Sequence, residues 1–210
     1  MDLPSDRVLT EQGMQSTDGG RVLVLACGAL AREILALIKV NAWTHVDLHC
    51  LPAILHNFPA KIPEAVRDAV VQRRAGYEQV FVAYADCGTG GDLARVCSEL
   101  NVSMIRGPHC YAFFDGIDAF LAREEVFSFY LTDFLTRQFD TFIWQGLKID
   151  RHPELKDMYF GNYKTLVYLA QTDDPDLTAK AKDAAKKLGL GFERRLTGYG
   201  ELASALEAAV

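Results

Sequence analysis

The chain has 210 residues, half of them hydrophobic and 24% charged, which suits one sizeable α/β domain and excludes a disordered, fibrous or coiled-coil protein. A formal net charge of −6 with no basic stripe argues against nucleic acid and anionic membranes as partners. No apolar run approaches the roughly 20 residues that span a bilayer, and the start, MDLPSDRVLTEQGMQSTDGG, is polar and lacks an apolar signal core, so the cytoplasm is the expected location.

Residues 1–20 read as a flexible arm, and 21–210 as a single domain. VLVLAC (22–27) is a short apolar run that stops at Gly28, the pattern of a strand buried on both faces in a parallel sheet. A helical pattern follows over 29–41, a weakly alternating strand over 45–51, and a helix over 63–77 with Pro63 near its start. EQVFVAYADCG (78–88) is a third strand running into a Gly-rich turn, 91–101 an amphipathic helix, and VSMIRG (102–107) a fourth strand. The aromatic-rich stretch that follows reads as mostly helical, an insertion or lid over about 111–160. Strand (164–171), helix (174–189), strand (190–198) and helix (200–210) close the chain. The alternation predicts an α/β fold: a Rossmann-like parallel sheet with helices on both faces and an aromatic-rich helical insertion.

In an open parallel sheet, ligands bind beyond the carboxyl ends of the strands. Those ends hold Cys27-Gly28, the segment Asp86 to Gly91, His109-Cys110 and Thr172-Asp173-Asp174, so three of the five cysteines fall on one sheet edge. Cys27, Cys87 and Cys110, with His109 or His56, make a candidate site for zinc or another transition metal, since thiolate and imidazole are the donors such ions prefer. No local C-x-x-C clip supports it, and small buried thiols are the plainer reading of the same residues. Cys50 and Cys97 are expected in the core.

DCGTGGD (86–92) offers a second possibility. Its glycines allow left-handed backbone, and successive amides can form an anion-binding nest from Asp86, Gly88, Thr89, Gly90 and Gly91. It is neither a P-loop nor a dinucleotide fingerprint, because the Lys-Ser/Thr ending and the third glycine's spacing are missing. Arg106, at a strand end, is placed to pair with an anion. Tyr159, in the loop 150–164, and Asp173, beside a helix cap, are further candidates for a small-molecule pocket. Glu33 is expected to be solvated.

The motifs LACGALAREI, HCLPAILHNFP, YADCGTGGDL, RGPHCYAFFDG, FYLTDFLTRQFD, DRHPELKDMYFGNYK and VYLAQTDDP together resemble domain family sixteen-thirty-eight of unknown function, over nearly all of residues 21–206. The resemblance implies a setting beside corrinoid proteins and methyltransferases of methylamine or betaine-type demethylation. It assigns no catalytic residue. In that setting a zinc-held thiolate would accept a methyl group from a corrinoid carried by a partner protein, since the chain has no D-x-H-x-x-G segment of its own. Three classes stay open: a metal-dependent methyl-transfer enzyme, an accessory protein for a corrinoid methyltransferase, and a metal-free module that binds a small anion or metabolite. The aromatic stretch 127–144 fits either a lid or the face of a homo-oligomer.

Overall fold

In the computed structural model, which describes residues 4–15 and 19–210, the apolar run at 22–27 is the central strand of a sheet. This strand, β1 (Val22–Cys27), is buried along its length up to Cys27. It lies between β2 (Val46–Leu51) and β3 (Gln79–Ala83), and the short β4 (Ser103–Met104) flanks β3. All pairs are parallel, in the order β2-β1-β3-β4. The register sets Cys27 opposite Leu51, and Ala26 between Cys50 and Ala83.

The helices of this sheet bury one stripe each, as amphipathic periodicity requires. In α1 (Asp6–Glu11) the buried residues are Leu9 and Thr10; in α2 (Ala31–Val40) they include Ala31, Ile34 and Leu37. In α3 (Ile62–Arg73) they include Val66, Ala69 and Val70, and in α4 (Asp92–Glu99) Leu93, Val96 and Cys97. Glu33 lies on the buried stripe of α2, at 5% exposure, rather than in solvent.

Of the arm expected over 1–20, residues 1–3 and 16–18 lie outside the described residues, and the remainder is packed. Ser5 caps α1, Asp6 accepts from Arg32 Nε at 3.0 Å, and Met14 forms an antiparallel bridge with Cys50.

Contacts divide the chain into two compact units, Met1–Phe113 with Leu202–Val210, and Phe114–Glu201. The boundaries fall within α5 (Cys110–Asp115) and near the start of the last helix, Gly200–Glu207. In the second unit, α6 (Ile117–Arg123) leads to β5 (Ser128–Leu131), the first strand of a second parallel sheet. Its partners are β6 (Thr165–Ala170) and β7 (Gly191–Leu196), in the order β5-β6-β7. Part of the stretch read as helical is therefore a strand. Its aromatic residues favour the pleated surface, and Phe129 packs edge-on to Phe160 at 5.1 Å. Around β5 and β6 lie α7 (Asp133–Arg137), a π-turn at Asp140–Trp144, α8 (Leu155–Phe160) and α9 (Pro175–Leu188). Asp174 caps α9, and Gly189 ends it in left-handed backbone.

The second sheet has its own polar anchor. Asp133 is 1% exposed and accepts from the Tyr168 hydroxyl at 2.7 Å, the Gln171 amide at 3.0 Å, and the Thr172 amide and hydroxyl at 3.1 and 2.6 Å. Four donors on one carboxylate offset its desolvation. The fold is α/β, with parallel sheets flanked by helices. No helix among the described residues is long and apolar enough to cross a membrane.

Candidate functional site

The chain leaves β1 for β2 on one side and returns to β3 on the other. The crossovers on either side of β1 thus diverge, and the carboxyl ends of β1 and β3 flank a topological switch point, the usual place for a ligand in an open parallel sheet. Cys27 is the last residue of β1. It precedes a 3₁₀ turn, Gly28–Leu30, whose Ala29 amide reaches back to the thiol. Gly28 serves packing: a side chain there would overlap the Leu9 carbonyl oxygen and press on that of Leu51 at 3.2 Å.

Beyond β3 the chain continues through Tyr84 to Asp86 and Cys87. The Asp86 amide donates to the Gly107 carbonyl at 3.0 Å and the Cys87 amide to that of Pro108 at 2.9 Å. These bonds carry the β3–β4 pairing past the strands and bring the loop bearing His109 and Cys110 to Cys87. Cys87 itself takes left-handed backbone, φ 50°, which is strained for a residue with a side chain.

The three thiols feel one another. Burial pushes each of them up, Cys87 to about 12. Cys27 then raises Cys87, and Cys87 and Cys27 raise Cys110, because two neighbouring thiolates repel. All three are partly exposed, whereas Cys50 and Cys97 are buried in the core. Tyr84, which the sequence reading missed, lies among them at 2% exposure. Burial raises its hydroxyl first, and the charges of Cys27, Cys87 and Cys50 raise it further.

His56 is exposed on the 3₁₀ turn Ala53–Asn57, and His109 is partly buried with its ring 5.0 Å from that of Tyr111. The surrounding protein lowers both imidazoles. His109 lowers His56 further, and Asp86 partly offsets the shift at His109. Asp86, Cys87, His56, His109, Cys110 and Cys27 thus share one sheet edge.

The glycine turn is used differently from an anion nest. Gly88, Gly90 and Gly91 take φ of 80°, 64° and 91°. The amides of Gly90 and Gly91 donate to the Asp86 carboxylate at 3.1 and 2.7 Å, and the Thr89 hydroxyl donates to it at 2.8 Å. Burial works against the Asp86 charge, but these donors and Gly88 outweigh it and hold the carboxyl below its usual range. The chain's own carboxylate thus occupies the amides that would cradle an anion.

Arg106 is exposed on the loop after β4. Tyr159 and Asp173 belong to the second unit. Both are exposed, and Asp173 pairs with Arg194 at 2.6 Å. Among the described residues, no group of three or more His, Cys, Asp or Glu stands arranged to hold a metal ion.

Residues 50–206 match the model of a family described as a protein of unknown function (DUF1638). The chain belongs to this family. No curated protein and no solved structure matches it. Within this DUF1638 protein the matched stretch holds His56, Asp86, Cys87, His109 and Cys110, while Cys27 precedes it.

Proposed function

We propose that Cys27, Cys87 and Cys110, with His109 or His56 as a further donor, hold a borderline-soft transition metal, zinc first among them. The observation that carries this reading is that three partly exposed thiols from three separate segments lie along the sheet edge at the switch point between β1 and β3 and influence one another electrostatically. Thiolate and imidazole donors suit zinc. Both histidines have lowered pKa values, so each is neutral at pH 7 with a lone pair to offer. The donor types fit; closing on an ion requires the thiol side chains to turn toward one another. Each thiol must also lose its proton, which a divalent charge favours.

Zinc bound by these residues would supply a Lewis acid that keeps an added thiol in its thiolate form. The chain's part is to supply the protein ligands and to keep the edge partly closed to solvent. The family resemblance supplies the setting: this member acts in corrinoid-linked one-carbon metabolism, as a methyl-transfer component or its accessory protein, with the corrinoid on a partner. A metal-free anion site in the glycine turn is the weaker reading, because Asp86 already takes the amides of Gly90 and Gly91.

The test is elemental analysis of anaerobically purified protein beside Cys87→Ser. Near-stoichiometric zinc, iron or cobalt that is lost in the variant supports the site. Metal-free wild-type protein with a native fold overturns it.

A further inference from the structure

In the second unit, α7 and α9 pack together and leave an open cleft of about 310 Å³, at the small end of the range for small-molecule sites. Thr136 and Arg137 of α7 form one wall. Lys180, Asp183, Ala184 and Lys187 form the other, and their spacing of three, four and seven places them on one face of α9. Phe139 and Asp140 complete the lining, where α7 gives way to the π-turn Asp140–Trp144. Such turns are rare and recur at functional sites.

Thr136 is 4% exposed, and its hydroxyl has no hydrogen-bond partner among the described residues. A helical threonine can return its hydroxyl to the carbonyl four residues back. Thr10 does so to Asp6 at 2.7 Å, and Thr178 to Asp174 at 2.9 Å. The Thr136 amide reaches the Thr132 carbonyl at 2.8 Å, but its hydroxyl does not follow. A buried O–H without an acceptor is costly. This one stands on the wall of a cleft that also carries three cationic side chains.

The charges narrow the choice of acceptor. Lys187 is neutralised by Asp140 at 2.8 Å and lies 4.0 Å over the Trp144 ring. Arg137 and Lys180 then face Asp183, which leaves one positive charge in excess on a chain whose net charge is −6. Lys180 makes no ion pair among the described residues. One excess charge matches a monoanion better than a dianion such as phosphate.

We propose that this cleft binds a small organic monocarboxylate. Its carboxylate accepts from the Thr136 hydroxyl and faces Arg137 and Lys180, and its apolar body lies against Phe139 and Ala184. Hydrogen bonds to an ionised acceptor are the strong ones, so the ligand supplies what Thr136 lacks. The site is independent of the thiol cluster.

Isothermal titration of the full-length protein with sodium acetate, butyrate and benzoate, at ionic strength held constant with sodium chloride, measures binding. Thr136→Val keeps the side-chain shape and removes the hydroxyl. Lys180→Gln removes a charge from the cleft, and Lys186→Gln removes an exposed charge of α9 that lies outside it. Thermal melting without ligand reports folding. The expected result is saturable binding of at least one probe at millimolar concentration in wild type. Affinity should fall about tenfold in Thr136→Val and about threefold in Lys180→Gln, and stay unchanged in Lys186→Gln. The melting temperature of Thr136→Val should not fall, since it loses an unpartnered buried hydroxyl. Failure of all three probes to bind wild type overturns the proposal. So does wild-type affinity in both Thr136→Val and Lys180→Gln, or equal weakening in Lys180→Gln and Lys186→Gln, which would mark general attraction to a basic surface. If Thr136→Val does not fold, the comparison of Lys180→Gln with Lys186→Gln decides.

Discussion

The Cys87 amide donates to the Pro108 carbonyl at 2.9 Å, one residue beyond the bond from Asp86 to Gly107. β4 is only two residues long, so these two bonds, with that from the Ile105 amide to the Val82 carbonyl at 3.2 Å, hold the segment leading to His109 and Cys110 against the end of β3. The bend that follows them places Cys87 in left-handed backbone, where a side chain costs about 1–2 kcal/mol. Glycine fills the other left-handed positions of this turn, Gly88, Gly90 and Gly91. That Cys87 carries the strain instead is a reason to look to its sulfur.

Asp86 holds the turn from inside. Asp86→Ala removes the acceptor for two amides and a hydroxyl, and should cost about 1–2 kcal/mol in urea unfolding. Inorganic phosphate at millimolar concentration should leave the wild-type melting temperature unchanged and raise that of Asp86→Ala, whose amides are released. Equal stabilisation of both proteins would show that the amides are open to ligands after all, and would restore the anion reading.

Gly28 and Gly90 separate two uses of glycine. A methyl group at Gly28 would strike two backbone carbonyl oxygens, those of Leu9 and Leu51, and backbone gives way only by moving α1. Gly28→Ala should cost about 2–3 kcal/mol. At Gly90 nothing lies within 4 Å, so Gly90→Ala meets only the strain of φ 64° and should cost about 1 kcal/mol. Chemical denaturation of the two variants checks the order, and a Gly28→Ala protein no less stable than Gly90→Ala would contradict the packing of α1 on this turn.

Much of this arrangement is legible in the residues. VLVLAC reads as a doubly buried strand because continuous Val and Leu leave no solvent face, and strand ends rich in Gly and Cys mark the edge where ligands sit. The capping of α9 by Asp174 follows from an acidic residue before Pro175. What local pattern cannot show is pairing between distant segments. Two sheets of four and three strands present the same alternation as one sheet of seven, and Ser128–Leu131 lies hidden among helical aromatic stretches. Side-chain direction is equally illegible. Asp86 reads as a ligand but turns inward to its own amides, Asp173 reads as an edge residue but pairs with Arg194, and the Tyr84 hydroxyl draws no notice in a strand of apolar neighbours.

His49 links the core of the first unit to pH. It is 5% exposed on β2, and its Nδ1 is buried without a hydrogen-bond partner. Burial, then the charge of Arg73, lowers its pKa from 6.5 to about 4. Below about pH 6.5 the unfolded chain takes up a proton that the folded chain refuses until about pH 4, so stability falls as pH drops through that window. Allowing for solvent screening, the loss from this group is about 1–2 kcal/mol. His56 and His109 act in the same direction, so the comparison is with His49→Leu. Urea unfolding at pH 7 and pH 4.5 should show a smaller loss in the variant by about 1 kcal/mol. Identical losses in the two proteins would remove His49 as the cause.

The last prediction concerns the thiols themselves. Cys50 and Cys97 are buried, and Cys27, Cys87 and Cys110 are partly exposed. Iodoacetamide applied to the native, metal-free protein should therefore modify only those three. Reaction should be slow, because the thiolate is the nucleophile and burial favours the protonated form. Unfolding in urea should open all five cysteines. Prior addition of one equivalent of zinc should protect Cys27, Cys87 and Cys110 together, since a ligating sulfur has its lone pair engaged. Mass mapping of the alkylated peptides reads each position separately. Protection of one cysteine alone, or modification of all three at the metal-free rate with zinc present, would count against a shared site; joint protection would place the three sulfurs on one ion.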